Sequence, residues 1–432
     1  MQNNADLLIL NIGQLVTCAA QGRPKRGPAM RDLAIIEDGA VAVIDGKIAA
    51  YGSSKNVADS YRSEKAIDAG GKVVLPGFVD PHTHIVYAGD RLDEFELKIE
   101  GADYLEILKN GGGIISTVRK TRAAPAAALL VQARARLDKM LAAGSTTVEI
   151  KTGYGLDADS ELKMLEVIAE LDRSHPVDII PTLLAAHAVP PEFQNDSDGY
   201  VDLICGEILP KAWDWYTRSH FFELKAPIYA DVFCEKNAFD LRQSERILTT
   251  AKALWFGVKA HADEFTNLGC SRLAIEMGAV SIDHLDAISD EEVELLAASD
   301  TIGVVTPTVN FNFGGSHFAD ARKLLDAGCA LSLSTDYNPG SAPCPSQPMA
   351  MAIACRYQKL MPAEAINAAT INAAFAIGQG QRTGSIEEGK RADLVFFDVK
   401  DHREIAYEFG GNLPFAVVKR GKLVRGRELL NK

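Results

Sequence analysis

Residues 73 to 84 read VVLPGFVDPHTH, an apolar run that ends in an aspartate and two histidines. A short run that is nearly continuous in its hydrophobicity is typical of a strand buried on both faces, as in a parallel sheet covered by helices. Because side chains alternate along a strand, His82 and His84 would lie on one face and offer two neighbouring nitrogen ligands to a metal. The stretch therefore predicts a buried strand that carries metal-binding chemistry at its carboxyl end.

Seven further runs of the same kind follow, and segments with helical spacing of apolar residues, such as 161 to 173 and 244 to 254, lie between them. Eight such strands within about 300 residues predict an α/β protein with a (β/α)8 barrel, and a doubly wound open sheet is the competing fold. Polar residues at the strand ends favour the barrel. The eight runs are VVLPGFVD (73 to 80), TTVEIKTG (146 to 153), VDIIPTLLAAH (177 to 187), IYADVFCE (228 to 235), VKAHAD (258 to 263), AVSIDHL (279 to 285), TIGVVTPT (301 to 308) and ALSLSTDYN (330 to 338).

The two ends of the chain have a different texture, which predicts short strands and hairpins. Residues 7 to 18 and 40 to 51 are strand-like, and the Asp45-Gly46 pair favours a tight turn. Residues 394 to 399 and 415 to 424 repeat this pattern around Gly421. Each piece is too small to bury much surface alone, so we expect them to form one small β-sandwich domain. The predicted domains are 1–72 with 376–432 for the sandwich, and 73–375 for the barrel.

Histidines are concentrated where the predicted strands end. The chain has nine, and five of them follow strand runs: His82, His84, His187, His261 and His284. Strand eight ends with Asp336. Because a parallel barrel gathers the carboxyl ends of its strands at one mouth, these nitrogen and oxygen ligands would meet there. The pattern predicts a metal-dependent active site.

Composition excludes several other classes of protein. The net charge is −13 and no block is rich in Lys or Arg, which argues against a nucleic-acid partner. Seven cysteines without a Cys-x-x-Cys pair suggest reduced thiols and a cytoplasmic protein. The amino terminus lacks the features of a signal peptide, and no apolar run approaches about 18 residues, so we expect no membrane partner.

Two histidines on strand one, one each on strands five and six, and an aspartate on strand eight give the chain a resemblance to the amidohydrolase superfamily over nearly its whole length. Within that superfamily it is similar to the family that opens the imidazolone ring in histidine degradation. The stretches that carry this similarity are VLPGFVDPHTHIVYAGDRLDEF (74 to 95), YLEILKNGGGIISTVRKTR (104 to 122), TTVEIKTGYGLD (146 to 157), DVFCEKNAFDLRQSER (231 to 246), HADEFTNLG (261 to 269) and STDYNPGSAP (334 to 343).

The resemblance implies hydrolysis of the cyclic amide of 4-imidazolone-5-propanoate to N-formimino-L-glutamate. It implies one zinc or iron ion per chain, bound by His82, His84, His261 and Asp336, and we consider a homodimer. The small-molecule carboxylate substrate would be contacted by Arg91, Tyr104, Tyr154, His187, Glu264, His284, Asn338, Gly340 and Ser341.

Physical reasoning supports several of these positions. A chain of charge −13 needs a local cation to hold a carboxylate, and Arg91, in the loop after His84, could bind one in a bidentate manner. The alternative is a surface Arg paired with a neighbouring acid. Tyr154 could pack against a flat ring or merely hold its loop. Gly340 and Ser341 follow a turn that could expose backbone groups, or could be a plain turn.

Hydrolysis of a cyclic amide requires an activated water, a polarised carbonyl and a proton for the leaving nitrogen, and a bound metal supplies the first two. Asp336 or Glu264 would act as general base, and the sequence leaves open which of them does so. His284 would stabilise the developing oxyanion. These three residues are the predicted catalytic groups.

Two departures from the family pattern bear on these expectations. Residues 306 to 315, TPTVNFNFGG, differ from the family after strand seven, so the pocket wall there could differ. Glu235 and Lys236 occupy the position of a second metal ligand in binuclear relatives, and we interpret them as structural. The remaining alternatives are an aminohydrolase acting on a cytosine- or guanine-like ring and a non-catalytic scaffold. Arg91 disfavours the first, and the complete ligand set disfavours the second.

Overall fold

The computed structural model describes residues 2–101, 112–411 and 414–426. Eight parallel strands form a sheet in which each strand pairs with the next along the chain. A bridge between Thr83 and Tyr337, just beyond the first and last of them, brings the two edges together, which confirms the expected barrel. Barrel strands 1 to 8 are Phe78–Asp80, Ser145–Lys151, Asp178–Ala186, Tyr229–Cys234, Gly257–Ala262, Ser281–His284, Ile302–Val305 and Leu331–Leu333.

A second, mostly antiparallel sheet combines strands from both ends of the chain, as the sequence predicts. The Asp45-Gly46 turn closes a hairpin with positive φ at both residues (51° and 72°), and Arg420-Gly421 does the same (46° and 71°). The strands of this terminal sheet are Leu7–Val16, Ile35–Ile44, Lys47–Ser53, Ala66–Asp68, Val73–Pro76, Leu394–Phe397, Ala416–Lys419 and Lys422–Arg425, and Asn3–Asn4 pairs separately with Tyr61–Arg62.

The run at 73 to 80 is two strands in two sheets, so the prediction of a single barrel strand there is wrong. Val73–Pro76 pairs antiparallel with Leu394–Phe397 in the terminal sheet, whereas Phe78–Asp80 begins the barrel. Gly77 separates them, and a Cβ at this position would lie only 2.2 Å from Thr146 Oγ1. The close approach of strand 2 therefore requires glycine at the break. The division of the chain into two domains stays a prediction.

Helices connect the barrel strands. The predicted segment 161 to 173 lies within Ala158–Ser174, and the segment 244 to 254 ends one residue beyond Leu241–Ala253. Both helices begin at an aspartate whose side chain accepts a backbone N–H, Asp157 and Asp240 respectively. The remaining helices are Ser54–Ser60, Leu92–Ile99, Ile114–Ala123, Ala126–Ala142, Ser197–Leu203, Leu209–Arg218, His220–Glu223, Cys270–Glu276, Asp290–Ala298, Pro307–Asn312, Ala321–Asp326, Gln347–Tyr357, Pro362–Ala368, Ile371–Ala376 and Glu404–Tyr407, with 3-10 turns at Gly27–Arg31 and Pro191–Phe193 and a π-helical turn at Ile204–Ile208.

The main hydrophobic core fills the space between the barrel and its helices, and a smaller core lies within the terminal sheet. Apolar contact of this kind is the main favourable term in folding, and here it fixes the strand ends that carry the polar side chains. None of the helices in the described ranges combines the length and hydrophobicity needed to cross a bilayer.

Candidate metal and substrate site

The turn that carries the first two histidines is fixed by its neighbours on both sides. Thr83, between them, donates its hydroxyl to the Glu149 carbonyl oxygen at 2.5 Å and accepts the Lys151 backbone N–H at 2.9 Å. On the other side, the His84 backbone N–H donates to the Tyr337 carbonyl oxygen at 3.0 Å. The turn thus joins the first strand of the barrel to the second and to the segment after the last.

Imidazoles from three strands converge inside this mouth. His82 Nε2 lies 3.1 Å from His84 Nε2, which lies 3.4 Å from His261 Nε2. Asp336 Oδ1 is 3.5 Å from Nε2 of both His82 and His84. The ring of His284 stands 5.2 Å from that of His82. All five residues are buried, with at most 3% of each exposed.

This arrangement fits a metal ion. Two groups of residues could each hold a metal ion, because the possible ligand atoms within each group all lie within 4.8 Å of one another. The first group is His82, His84 and His261, and the second is His82, His284 and Asp336. Burial lowers the pKa values of His82, His84 and His261 well below 6.5, so these imidazoles are neutral, the form that binds metal. Three neutral imidazoles and a carboxylate suit a divalent ion such as zinc or iron.

Five charged side chains lie buried directly beneath the histidines, and the sequence analysis missed all of them. Asp283 Oδ2 lies 2.6 Å from His82 Nδ1, and Asp231 Oδ2 lies 3.0 Å from His261 Nδ1. The signal was present, because charged residues interrupt strands that were otherwise predicted to be apolar and buried. We call this group the site cluster; it consists of Glu149, Lys151, Asp231, Lys259 and Asp283.

The backbone is strained where the strands deliver these groups. Asp263, His284, Leu285 and Asp336 have φ values of 58°, 88°, 68° and 46°, in the left-handed region that non-glycine residues rarely adopt. Each of them lies at or just beyond the end of strand 5, 6 or 8. Such conformations cost energy and cluster at functional sites, so they mark the barrel mouth independently of the histidines.

Arg91 lies beside the Gly340-Ser341 turn and also near Glu94, so its geometry is compatible with both a carboxylate-binding residue and an Arg paired with a neighbouring acid. Its Nε donates to Thr117 Oγ1 at 2.9 Å, and its Nη1 lies 3.8 Å from Glu94 Oε2. A Cβ at Gly340 would lie 2.3 Å from Arg91 Nη1, so a larger residue there would displace the guanidinium from this position. The side chain is 12% exposed. Thr117, which holds the guanidinium, was not predicted from the sequence.

His187 and Tyr154 form an aromatic wall next to His84. The rings of His187 and His84 stack at 5.0 Å with 20° between their planes, and Tyr154 lies 5.4 Å from His187. His187 Nδ1 lies 3.0 Å from the Gly153 carbonyl oxygen, and burial lowers the pKa of His187 to about 4. Gly153 has φ 102°, which suits the tight turn between them. Tyr104, the other predicted tyrosine, lies outside the described residues.

Glu264 follows His261 in a bent loop, and its side chain is 11% exposed. Its Oε2 faces His284 Nε2 at 3.9 Å, while Thr306 Oγ1 lies 3.0 Å from the other ring nitrogen, Nδ1. Burial raises the pKa of Glu264, and that of Asp336, well above the ordinary range. His284 Nε2 is buried and has no hydrogen-bond partner in the described part of the chain, so it is available to a substrate. Thr306 belongs to the segment that departs from the family pattern.

The turn after strand 8 is organised by Asn338. Its Oδ1 accepts the backbone N–H groups of Gly340 and Ser341, both at 2.8 Å, and its Nδ2 donates to the Asp336 carbonyl oxygen at 2.8 Å. The turn is therefore coupled to Asp336. Glu235, by contrast, accepts the backbone N–H groups of Phe265 and Thr266 at 3.0 Å and so supports the loop that carries Glu264.

The comparisons with known proteins agree with this geometry. Residues 260–424 match the Amidohydrolase family. Two solved structures share the fold across nearly the whole of both chains: an adenosine deaminase from Xanthomonas campestris with bound zinc (TM-score 0.73, 21% identity, 100% of this chain and 95% of that one) and the guanine deaminase of E. coli (TM-score 0.68, 16% identity, 96% and 98%). The fold is thus of the amidohydrolase type, and the clustered histidines suggest a divalent metal.

Relatives in sequence identify a particular family within this class. The chain is 51% identical over 419 residues to imidazolonepropionase from Chloroflexus aggregans, covering 97% of this chain and 98% of the relative. It is 50% identical over 426 residues to imidazolonepropionase from Herpetosiphon aurantiacus, covering 99% of each. The chain belongs to the imidazolonepropionase family.

Proposed function

We propose that the protein hydrolyses the cyclic amide of 4-imidazolone-5-propanoate to N-formimino-L-glutamate, a step of histidine degradation. Family membership supports the reaction. The observation that carries the choice of substrate is the position of Arg91, an arginine held at the Gly340 turn beside the buried histidine site. A neutral ring would not require this cation, whereas a propionate side chain does.

Substrate binding divides between the two sides of the pocket. Arg91 holds the carboxylate, and the Gly340-Ser341 turn lies against the same end. The wall formed by His187 and Tyr154 would hold the flat ring, with Tyr104 as a further contact. The ring carbonyl would then point toward His82, His84, His261 and Asp336, which would hold one zinc or iron ion per chain.

The metal, when bound, activates water and polarises the ring carbonyl. Water adds to the carbonyl carbon, the ring C–N bond breaks, and the leaving nitrogen takes up a proton. Glu264 Oε2 lies 3.9 Å from His284 Nε2, on the side of the pocket where the proton is transferred, and its raised pKa suits an acid–base role. His284 Nε2 would donate to the developing oxyanion, because Thr306 occupies its other nitrogen.

Asp336 is the second candidate for the general base. It lies 3.5 Å from both His82 and His84, and Asn338 Nδ2 lies 3.2 Å from its Oδ1. A carboxylate engaged in this way has less freedom to carry a proton to the leaving nitrogen than Glu264 has. We therefore assign Asp336 to the metal and Glu264 to the proton transfer.

The cellular setting is also part of the proposal. We place the enzyme in the cytoplasm without a nucleic-acid partner, on the basis of seven free thiols and a net charge of −13. A homodimer completes the proposal; Tyr357, Tyr407 and Phe409 expose half or more of their surface and could contribute to a contact. Sedimentation of the purified protein tests the assembly.

A spectroscopic assay with freshly generated imidazolone propionate tests the reaction, and Arg91→Lys tests the substrate. Lysine keeps the charge but loses the bidentate guanidinium, so we expect KM to rise roughly 10-fold with the metal retained. Arg134→Lys is the matched control, because Arg134 bonds to Ser174 on the outside of the barrel. Unchanged KM in Arg91→Lys and Arg91→Ala would assign the carboxylate to another residue. Release of ammonia from cytosine or guanine would favour the aminohydrolase alternative.

A further inference from the structure

Lys151 lies at the centre of the site cluster and is fully buried. Its Nζ is 2.7 Å from Asp231 Oδ2 and 3.3 Å from Asp283 Oδ2. These are the same two carboxylate oxygens that face the Nδ1 atoms of His261 and His82. One ammonium group on strand 2 therefore connects, through two aspartates, to histidines on strands 5 and 1.

We propose that Lys151 is a positioning residue for the metal site, which acts by holding Asp231 and Asp283 where they orient His261 and His82. The Asp283 carboxylate is hydrogen-bonded to His82 Nδ1, keeps the proton on that nitrogen and directs the Nε2 lone pair into the mouth of the barrel. Asp231 acts on His261 through its charge at 3.0 Å, because His261 Nδ1 has no hydrogen-bond partner among the described residues. Without the ammonium, two buried carboxylates would lose their shared partner and repel each other. The inference rests on the proposed metal site but not on the identity of the substrate.

The charge balance of the cluster is compatible with this role. Three carboxylates, those of Glu149, Asp231 and Asp283, surround two ammonium groups, those of Lys151 and Lys259. The cluster thus carries one excess negative charge under a site that receives a cation. Lys151 can bridge the aspartates without making the surroundings of the metal positive.

Lys259 provides a matched control within the same cluster. It is also fully buried, but its Nζ lies closest to Glu149 Oε2 at 2.8 Å and to the Pro81 carbonyl oxygen at 2.9 Å. It lies 3.7 Å from Asp283 Oδ2. Glu149 bonds to Thr182 and to the two lysines, not to a histidine. Lys151→Met and Lys259→Met therefore remove the same charge from the same depth, but only Lys151→Met removes the ammonium group that contacts both Asp231 and Asp283.

The experiment measures the zinc dissociation constant of metal-depleted wild type, Lys151→Met and Lys259→Met by competition with a chromophoric chelator, with thermal unfolding recorded for each. We expect zinc to bind about 10- to 100-fold more weakly to Lys151→Met, as for other residues that orient metal ligands, and to change less than about threefold in Lys259→Met. Comparable losses of thermal stability in the two variants would support a specific effect on the metal.

An unchanged zinc affinity in folded Lys151→Met would overturn the inference, and so would equal weakening in both variants. If Lys151→Met does not fold, Asp231→Asn and Asp283→Asn replace it. Each must weaken zinc binding, and normal affinity in either would break the proposed connection. Absence of zinc binding by the wild type would overturn the proposed function as well, whereas wild-type binding with a normal Lys151→Met variant overturns this inference alone.

Discussion

The two ends of the barrel differ in whether their buried polar groups have bonding partners. We call the end of the barrel where the strands begin the foot. There, Asp178 begins strand 3 and contacts Arg391, Lys419 and Arg420, all from the part of the chain after the barrel. Lys419 also contacts Asp393 at 2.7 Å. We call these five residues the foot cluster. At the mouth, His284 Nε2 and His84 Nδ1 are buried without a hydrogen-bond partner among the described residues.

The pKa values of buried carboxyl groups express the same contrast. Burial alone would raise the pKa of Asp178, but the cations of Lys419, Arg391 and Arg420 outweigh it, and the pKa is lowered. For Glu264 and Asp336, burial dominates and the pKa is raised. Fully paired charges at the foot join the barrel to the terminal sheet. Groups at the mouth keep unsatisfied bonding capacity, which a metal and a substrate can use.

Substitution of a histidine at the mouth should have the largest effect. His261→Ala removes one of the three imidazoles of the His82, His84 and His261 group, so we expect loss of the metal and of all measurable activity, with the fold retained. Elemental analysis and the imidazolone propionate assay measure both. His402→Ala is the control, because His402 contacts Gln14 far from the mouth. Activity in His261→Ala, or two metal ions per wild-type chain, would contradict the proposed site.

Substitution at the foot should instead lower stability and leave activity unchanged. Asp178→Asn removes the carboxylate shared by Arg391, Lys419 and Arg420, although Lys419 keeps its contact with Asp393, so we expect the free energy of unfolding to fall by about 3 kcal/mol. The kcat and KM of the folded enzyme should not change. Denaturant titration and steady-state kinetics separate the two quantities. Asp214→Asn, in an exposed pair with Arg218, should leave stability unchanged. A lower kcat in Asp178→Asn would mean that foot and mouth are coupled.

Within the mouth, Glu264→Gln separates chemistry from metal binding. Glutamine preserves the size of the side chain but cannot carry the proton, so we expect kcat to fall about 100-fold with normal metal content. Metal analysis must accompany the kinetics, since lost metal would produce the same fall. Full activity in this variant would make Asp336 the sole base and give Glu264 no role in the reaction.

The sequence predicted the mouth far better than the foot. The residues His82, His84, His261, His284 and Asp336 could be identified because each follows an apolar run, and a parallel barrel brings such positions together whatever the details of packing. The foot cluster depends on how the terminal sheet docks. No periodicity in the sequence relates Asp178 to Lys419, which lies 241 residues away.

The site cluster could be predicted from the sequence only in part. Lys151 and Asp283 stand within predicted strands, so their burial followed from the prediction, but not their mutual contact. The break at Gly77 was missed for a related reason. The apolar texture runs through residues 73 to 80 without interruption, and only the approach of Thr146 in the structure shows why glycine is required at the break.

The smallest expected effect is the dependence of stability on pH, which should have opposite sign at the two ends. The pKa of Asp178 is lower in the folded state than its unfolded value of about 3.9, so its contribution is complete above that pH and is lost as the pH falls through the folded pKa. The stability difference between wild type and Asp178→Asn should therefore shrink below about pH 4.

The pKa of Glu264 is raised, so its ionisation opposes folding, and in metal-depleted protein Glu264→Gln should gain stability relative to wild type as the pH rises above about 4.3. Denaturant titrations of the three proteins from acid to neutral pH measure both trends. Parallel curves for wild type and Asp178→Asn would show that the foot cations do not hold the aspartate ionised.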